Sequence, residues 1–250
     1  MDIEQVPDWR IYFAAEVDTV QGAHPGDVLI VLTHAKTADW GNVMFPKVSP
    51  YRLALSIAIR SSRKASALRK TLAFAPRPNA RKVRDLELSG TSALCEFFEE
   101  CMIAATFSYQ ALETYANQVI EEQLGEAGTF PLLRRGVEQM VGAAIVQREA
   151  STEEKIATVL PALVKRPFDK SGKLWQQFSI LRQVRDKTIH LKTEDHRSAQ
   201  PLDRDTIFYR LLNNRPRSYP ETALGVMRHF IGSGELSWLE HAEAALAAKP

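Results

Sequence analysis

The amino-acid sequence predicts a mainly α-helical protein with a small mixed α/β element at its N-terminus. Three observations carry that prediction. From Ser92 onward, apolar residues recur at spacings of three and four, the pattern of amphipathic helices. The clearest β-branched apolar run, Asp27-Val-Leu-Ile-Val-Leu-Thr33, lies early in the chain, after the turn signal His24-Pro25-Gly26. Between the two, Ala75-Pro-Arg-Pro-Asn79 breaks regular structure. The division is therefore placed at residues 1–85 for the mixed element with a basic segment, and 86–250 for a helical bundle.

In the first part, Trp9 to Val17 is a second candidate strand, Pro46 and Pro50 interrupt the chain, and Leu53 to Leu72 is a candidate helix. In the second, Leu94, Phe97, Phe98, Cys101, Met102, Ala105, Tyr109, Leu112, Ala116, Val119 and Ile120 form one long stripe, ended by Gly125 and Gly128. Helices are expected over about Leu132 to Gln147 and from the capping box Ser151-Thr-Glu-Glu154 to Val164. Three more are expected: Leu174 to Leu191, one starting near Pro220-Glu221, and Glu235 to Ala248.

The 250 residues are 45% hydrophobic and 25% charged, with a formal net charge of +2, so a sizeable core can form and the whole molecule is not a polycation. Cys95 and Cys101 fall on one predicted helix, on opposite sides and about 9 Å apart along its axis, too far for a disulfide. They read as core thiols in a reducing compartment. The N-terminal MDIEQVPDWR has no basic or apolar region of a signal peptide, and apolar runs such as Val28 to Leu32 are too short to span a membrane. A cytoplasmic location is expected, with no membrane partner.

The helix from Leu174 to Leu191 contains a contradiction. Leu174, Phe178, Leu181, Val184, Thr188 and Ile189 share one face, and Arg185 falls inside that stripe. A guanidinium cannot shed its charge, so an arginine facing a core needs an acidic partner, an intersubunit cleft or a phosphate. A structural carboxylate such as Glu113 would serve the first role. Arg182, Asp186 and His190 stand at i, i+4 spacing, which ordinarily means a ladder of surface ion pairs.

Arg185-Asp186-Lys187-Thr188-Ile189-His190, following the aromatic-rich Leu174-Trp175-Gln-Gln-Phe178, resembles the signature of the HEPN family, the "higher eukaryote and prokaryote nucleotide-binding" domains. Phe107-Ser-Tyr-Gln-Ala-Leu-Glu113-Thr-Tyr-Ala-Asn117 and Ser218-Tyr-Pro-Glu-Thr-Ala223 are similar to two other stretches of that family. The resemblance covers about Ser89 to Gly232. It implies a HEPN-like bundle, a homodimer in which two motif copies line one cleft, and a candidate endoribonuclease that needs no metal or cofactor. In that role Arg185 would hold the scissile phosphate and His190 would transfer a proton. Asp186 would orient a donor, with Glu113 in support. The family also contains non-catalytic interaction and nucleotide-binding modules, some paired with an antitoxin in defence systems, and that alternative stays open here. On a straight helix Arg185 and His190 point about 140° apart, so a shared site requires a long reach, a bend near Thr188 or two subunits.

No acidic residue occurs between Asp39 and Asp85, where Lys47, Arg52, Arg60, Arg63, Lys64, Arg69, Lys70, Arg77, Arg81, Lys82 and Arg84 accumulate. Arg60, Arg63, Lys64, Arg69, Lys70, Arg81, Lys82 and Arg84 are the candidate phosphate-tracking residues for RNA. The alternative is a solvated basic face balanced by Glu96, Glu99 and Glu100. No residue cluster has metal-ligand spacing. His24, His34, His196, His229 and His241 read as structural or solvated.

Overall fold

A computed structural model describes residues 8–14, 29–76, 84–134, 136–191, 195, 206–231 and 236–248. The apolar run near residue 30 divides between two hairpins. Strand β1 (Phe13–Ala14) pairs antiparallel with β2 (Leu29–Ile30), and β3 (Leu32–Thr37) pairs with β4 (Gly41–Pro46). Gly41 takes a left-handed φ of 68° at the β3–β4 turn, a conformation that a Cβ would oppose. The N–H of Val31 donates to the Tyr12 carbonyl and that of Lys47 to the Val31 carbonyl, tying the two hairpins together. The end of the second candidate strand, from residue 15 to 17, and the start of the first, at residues 27 and 28, lie outside the described residues.

Pro50 does not break the chain. It opens α1 (Pro50–Thr71) at a first-turn position, where a missing N–H costs nothing, and Ser49 Oγ caps the Arg52 N–H. Tyr51, Ala54, Leu55, Ala58, Ile59 and Ala65 form its buried stripe. After α1, β5 (Phe74–Pro76) pairs with β6 (Arg84–Leu86).

The long stripe becomes α2 (Thr91–Leu124), ended by Gly125 at φ 58°. Helices α1 and α2 run antiparallel: Tyr51, early in α1, meets Tyr115, late in α2, with ring centroids 5.5 Å apart, while Lys64 pairs with Glu96 and Glu100 near the start of α2. Alanines 104, 105, 111 and 116 on α2 are fully buried and permit close approach of its neighbours. Both helices contribute to one hydrophobic core.

The helix expected over Leu132 to Gln147 is a correction. Its first half is a hairpin, β7 (Thr129–Arg134) with β8 (Val137–Gly142), and only α3 (Ala143–Glu149) is helical. Alternation explains it: Phe130 and Leu132 are buried while Pro131 and Leu133 face outward, and Gly136 supplies a φ of 81° at the turn.

The capping box forms at Ser151, whose Oγ accepts from the Glu154 N–H. It opens α4 (Thr152–Glu154), which widens into a π-helical turn over Lys155–Val159 and continues as α5 (Leu160–Val164). Then come α6 (Lys173–Ile189), α7 (Ile207–Asn213), α8 (Ser218–Phe230) and α9 (Leu236–Ala247). Helices α6 and α8 flank α2, and α9 closes over the start of α1 through Trp238. The mainly α class is what the sequence predicted, while the β7–β8 strand pair lies outside the N-terminal element where strands were expected. Among the described residues, no helix is long and apolar enough to cross a membrane.

Candidate functional site

Helix α6 seats Phe178, Leu181 and Val184 in the core, as its periodicity requires. Ile189, expected on that face, is instead 53% exposed, because the helix ends there and its last turn projects beyond the packing surface. Near this end, Thr188 Oγ1 donates back to the Val184 carbonyl at 2.9 Å, a contact that tends to bend a helix.

Arg185 lies in the stripe, and its charge is accommodated in two ways. Its Nη1 donates to Asp186 Oδ1 at 2.9 Å, and its guanidinium carbon sits 4.7 Å from the centroid of the Tyr109 ring on α2. The side chain keeps 32% of its exposure, so it is neither sealed in the core nor lost to solvent. The expected structural partner, Glu113, is not its hydrogen-bonding carboxylate. Glu113 acts electrostatically on Tyr109 and Lys155.

The i, i+4 ladder does not form as expected. Arg182 pairs with Glu153 of α4 and Asp186 with Arg185, because neighbours in space offered better geometry than the next helical turn. His190 caps α6 with φ −122° and ψ 73°, its backbone N–H donating to the Asp186 carbonyl, and its side chain is exposed. Among the described residues no hydrogen bond joins its imidazole to Asp186 or to Arg185. One chain thus brings Arg185 and Asp186 into contact and leaves His190 at the rim.

Three residues were not singled out by sequence: Tyr109 against Arg185, Thr152 beside Tyr109, and Lys155, which like Tyr109 feels the charge of Glu113. Tyr109 is buried, with Thr152 beside its hydroxyl. Burial pushes its phenol above the ordinary value, against the opposing influence of Thr152 and Arg185. Lys155, in the π-helical turn, is 1% exposed and donates from Nζ to the Gln147 carbonyl at 2.6 Å. Burial pulls its pKa down, and the charge of Glu113 resists that shift. Tyr109 was visible as a stripe residue, but a lysine on the buried face of a capping-box helix leaves no periodic signal.

The basic block is dispersed. Arg52 is buried beneath Tyr12, Tyr51 and Trp238 and donates to the Ile11 carbonyl at 3.0 Å and to Tyr51 Oη at 3.1 Å. Arg69 donates to the Leu212 and Asn214 carbonyls, at 2.9 and 2.7 Å, fastening the end of α7. Lys64 lies 2.9 Å from Glu100, the acidic balance that was the alternative reading. Arg60, Lys70 and Arg84 are exposed, and Arg63 is half-buried. Arg77, Arg81 and Lys82 lie outside the described residues, as do His24 and His196.

Other sequence candidates take structural places. His229 Nε2 lies 2.9 Å from the Pro167 carbonyl and packs edge-on against Phe168, His241 bonds the Ser237 carbonyl, and His34 is exposed on β3. Of the two cysteines expected in the core, only Cys101 is buried; Cys95 is exposed, as its opposite position on α2 demands. Among the described residues no group of three or more His, Cys, Asp or Glu side chains could hold a metal ion. No family model, no curated protein and no solved structure matches the chain.

Proposed function

We propose that the chain is a HEPN-like endoribonuclease that acts as a homodimer through Arg185 and His190. The observation that carries this reading is the state of Arg185. It is a core-stripe arginine held against an aromatic ring, one-third exposed, with a single hydrogen bond to a described residue. A guanidinium so held can present its remaining N–H groups to a phosphate.

In this mechanism Arg185 binds the scissile phosphate. The ribose 2′-hydroxyl attacks phosphorus, the bond to the 5′-oxygen breaks, and a 2′,3′-cyclic phosphate and a 5′-hydroxyl are left. His190 takes the proton from the 2′-oxygen or gives one to the leaving oxygen. The divergence of Arg185 and His190 on α6 supports a cleft in which each subunit supplies one of them to the other's motif. The test is purified protein with RNA in the presence of chelator, beside His190→Ala and Arg185→Ala. Both variants are expected to lose cleavage by at least about a hundredfold. Equal degradation by all three proteins sinks the assignment.

A second reading is a non-catalytic HEPN-like module that binds a protein or a nucleotide. The exposed imidazole of His190, without an orienting hydrogen bond to Asp186, favours it. It predicts no cleavage in the same assay and a specific partner in a pull-down.

A further inference from the structure

An arginine that must receive a phosphate has two conflicting needs. It must be held in place, or its flexible stem costs rotamer entropy on every binding event. It must also keep its donors available, which a bidentate carboxylate would prevent. A cation–π contact resolves the conflict. It attracts the cation through the ring face, perpendicular to the guanidinium edges that carry the N–H groups.

Tyr109 has the geometry for this task. Its ring meets α6 at two residues seven apart and therefore on one face: Phe178 stacks on it at 6.1 Å with an interplanar angle of 11°, and Arg185 lies at 4.7 Å. The ring is 6% exposed, and its hydroxyl lies near Thr152 at the start of α4. Burial and the Phe178 stack thus fix the platform before any ligand arrives. Asp186 uses one N–H of Arg185, out of the five a guanidinium carries.

We infer that Tyr109 is the positioning residue for Arg185: its ring face holds the guanidinium in place while leaving the donor edge open to a phosphate oxygen. This rests on the ribonuclease reading for its role, but its geometry is testable without it. The ring supplies the contact, so Tyr109→Phe keeps the platform and Tyr109→Leu removes it.

Two readouts separate the questions. In the NMR spectrum of the wild-type protein, the Arg185 side-chain protons, assigned by their loss in Arg185→Lys, are expected upfield of free arginine because of the ring current. They should stay there in Tyr109→Phe and return toward free arginine in Tyr109→Leu. Arg185 protons at free-arginine positions in wild type overturn the inference, whatever the variants do. In the RNA assay, Tyr109→Leu should lower kcat/KM by about tenfold and Tyr109→Phe by less than about twofold. Tyr109→Leu added to Arg185→Ala should cause no further loss, since the two act as a unit. A full additional loss assigns Tyr109 a purely structural role and overturns the proposal. If wild type cleaves no RNA, the ribonuclease reading fails alone, and the Arg185 resonances decide the Tyr109 contact.

Discussion

Lys155 Nζ donates to the Gln147 carbonyl at 2.6 Å from a side chain that is almost wholly enclosed. Its pKa is lower in the folded chain than the unfolded value of 10.5, because burial penalises the charged form. A base with a depressed folded pKa costs nothing above the unfolded value. Its penalty develops as pH falls toward the folded value and is constant below that. Lys155→Met removes both the penalty and the hydrogen bond. Relative to wild type, the variant should therefore gain stability as pH falls from about 10.5 toward neutrality. Urea unfolding of both proteins across that range checks it. A stability difference that does not move with pH contradicts the account.

Arg52 is the most enclosed described member of the basic block, with its guanidinium carbon 5.0 to 5.5 Å from three aromatic centroids. Arg52→Ala should lower stability by about 2–3 kcal/mol through lost carbonyl hydrogen bonds and cation–π contacts. Arg52→Lys should cost less, because an ammonium keeps the charge but not the fork. Denaturant unfolding measures both. A loss confined to RNA affinity would instead return Arg52 to the nucleic-acid surface.

The two thiols should differ sharply in reactivity. Burial pushes Cys101 up to about 12, and Cys95 is exposed. A thiol reagent at pH 8 should label one equivalent rapidly, at Cys95, and the second only on denaturation. Peptide mapping identifies the residue. Rapid labelling of both would mean that α2 opens readily around Cys101.

If RNA is bound, the exposed cations should carry the salt dependence. Arg60→Ala and Lys70→Ala should each flatten the slope of log affinity against log salt by about 0.7 for single-stranded RNA. Lys64→Gln should flatten it less, since Glu100 already neutralises that ammonium. Fluorescence anisotropy titrations at several salt concentrations measure the slopes, and unchanged slopes for Arg60 and Lys70 remove them from the interface.

The long helices were legible because their packing is periodic. Leu94 to Ile120 declared α2, and the Ser151 box declared the start of α4. The β7–β8 hairpin was missed because apolar residues from 130 to 146 also fit helical spacing. The left-handed Gly136, one residue, outweighs that pattern. At the site, the position of Arg185 on the buried stripe was readable from α6 alone. Its actual partners were not. Tyr109 is 76 positions earlier, and nothing local says which ring of α2 will meet which turn of α6. The basic block misled for the same reason: one-dimensional charge density cannot reveal that Arg52 turns inward and Arg69 clasps the end of α7.

The contacts of Tyr51 have a consequence for synthesis. Its ring touches Tyr115 and Trp238, so the inner face of α1 is completed by residues made far later on the ribosome. As the nascent chain emerges, α1 exposes an unmatched apolar flank until α2 follows, and the flank is covered at its beginning only when α9 has left the exit tunnel. Folding of this chain is therefore delayed until α9 has emerged, and the intervening nascent species is the one that a chaperone would meet.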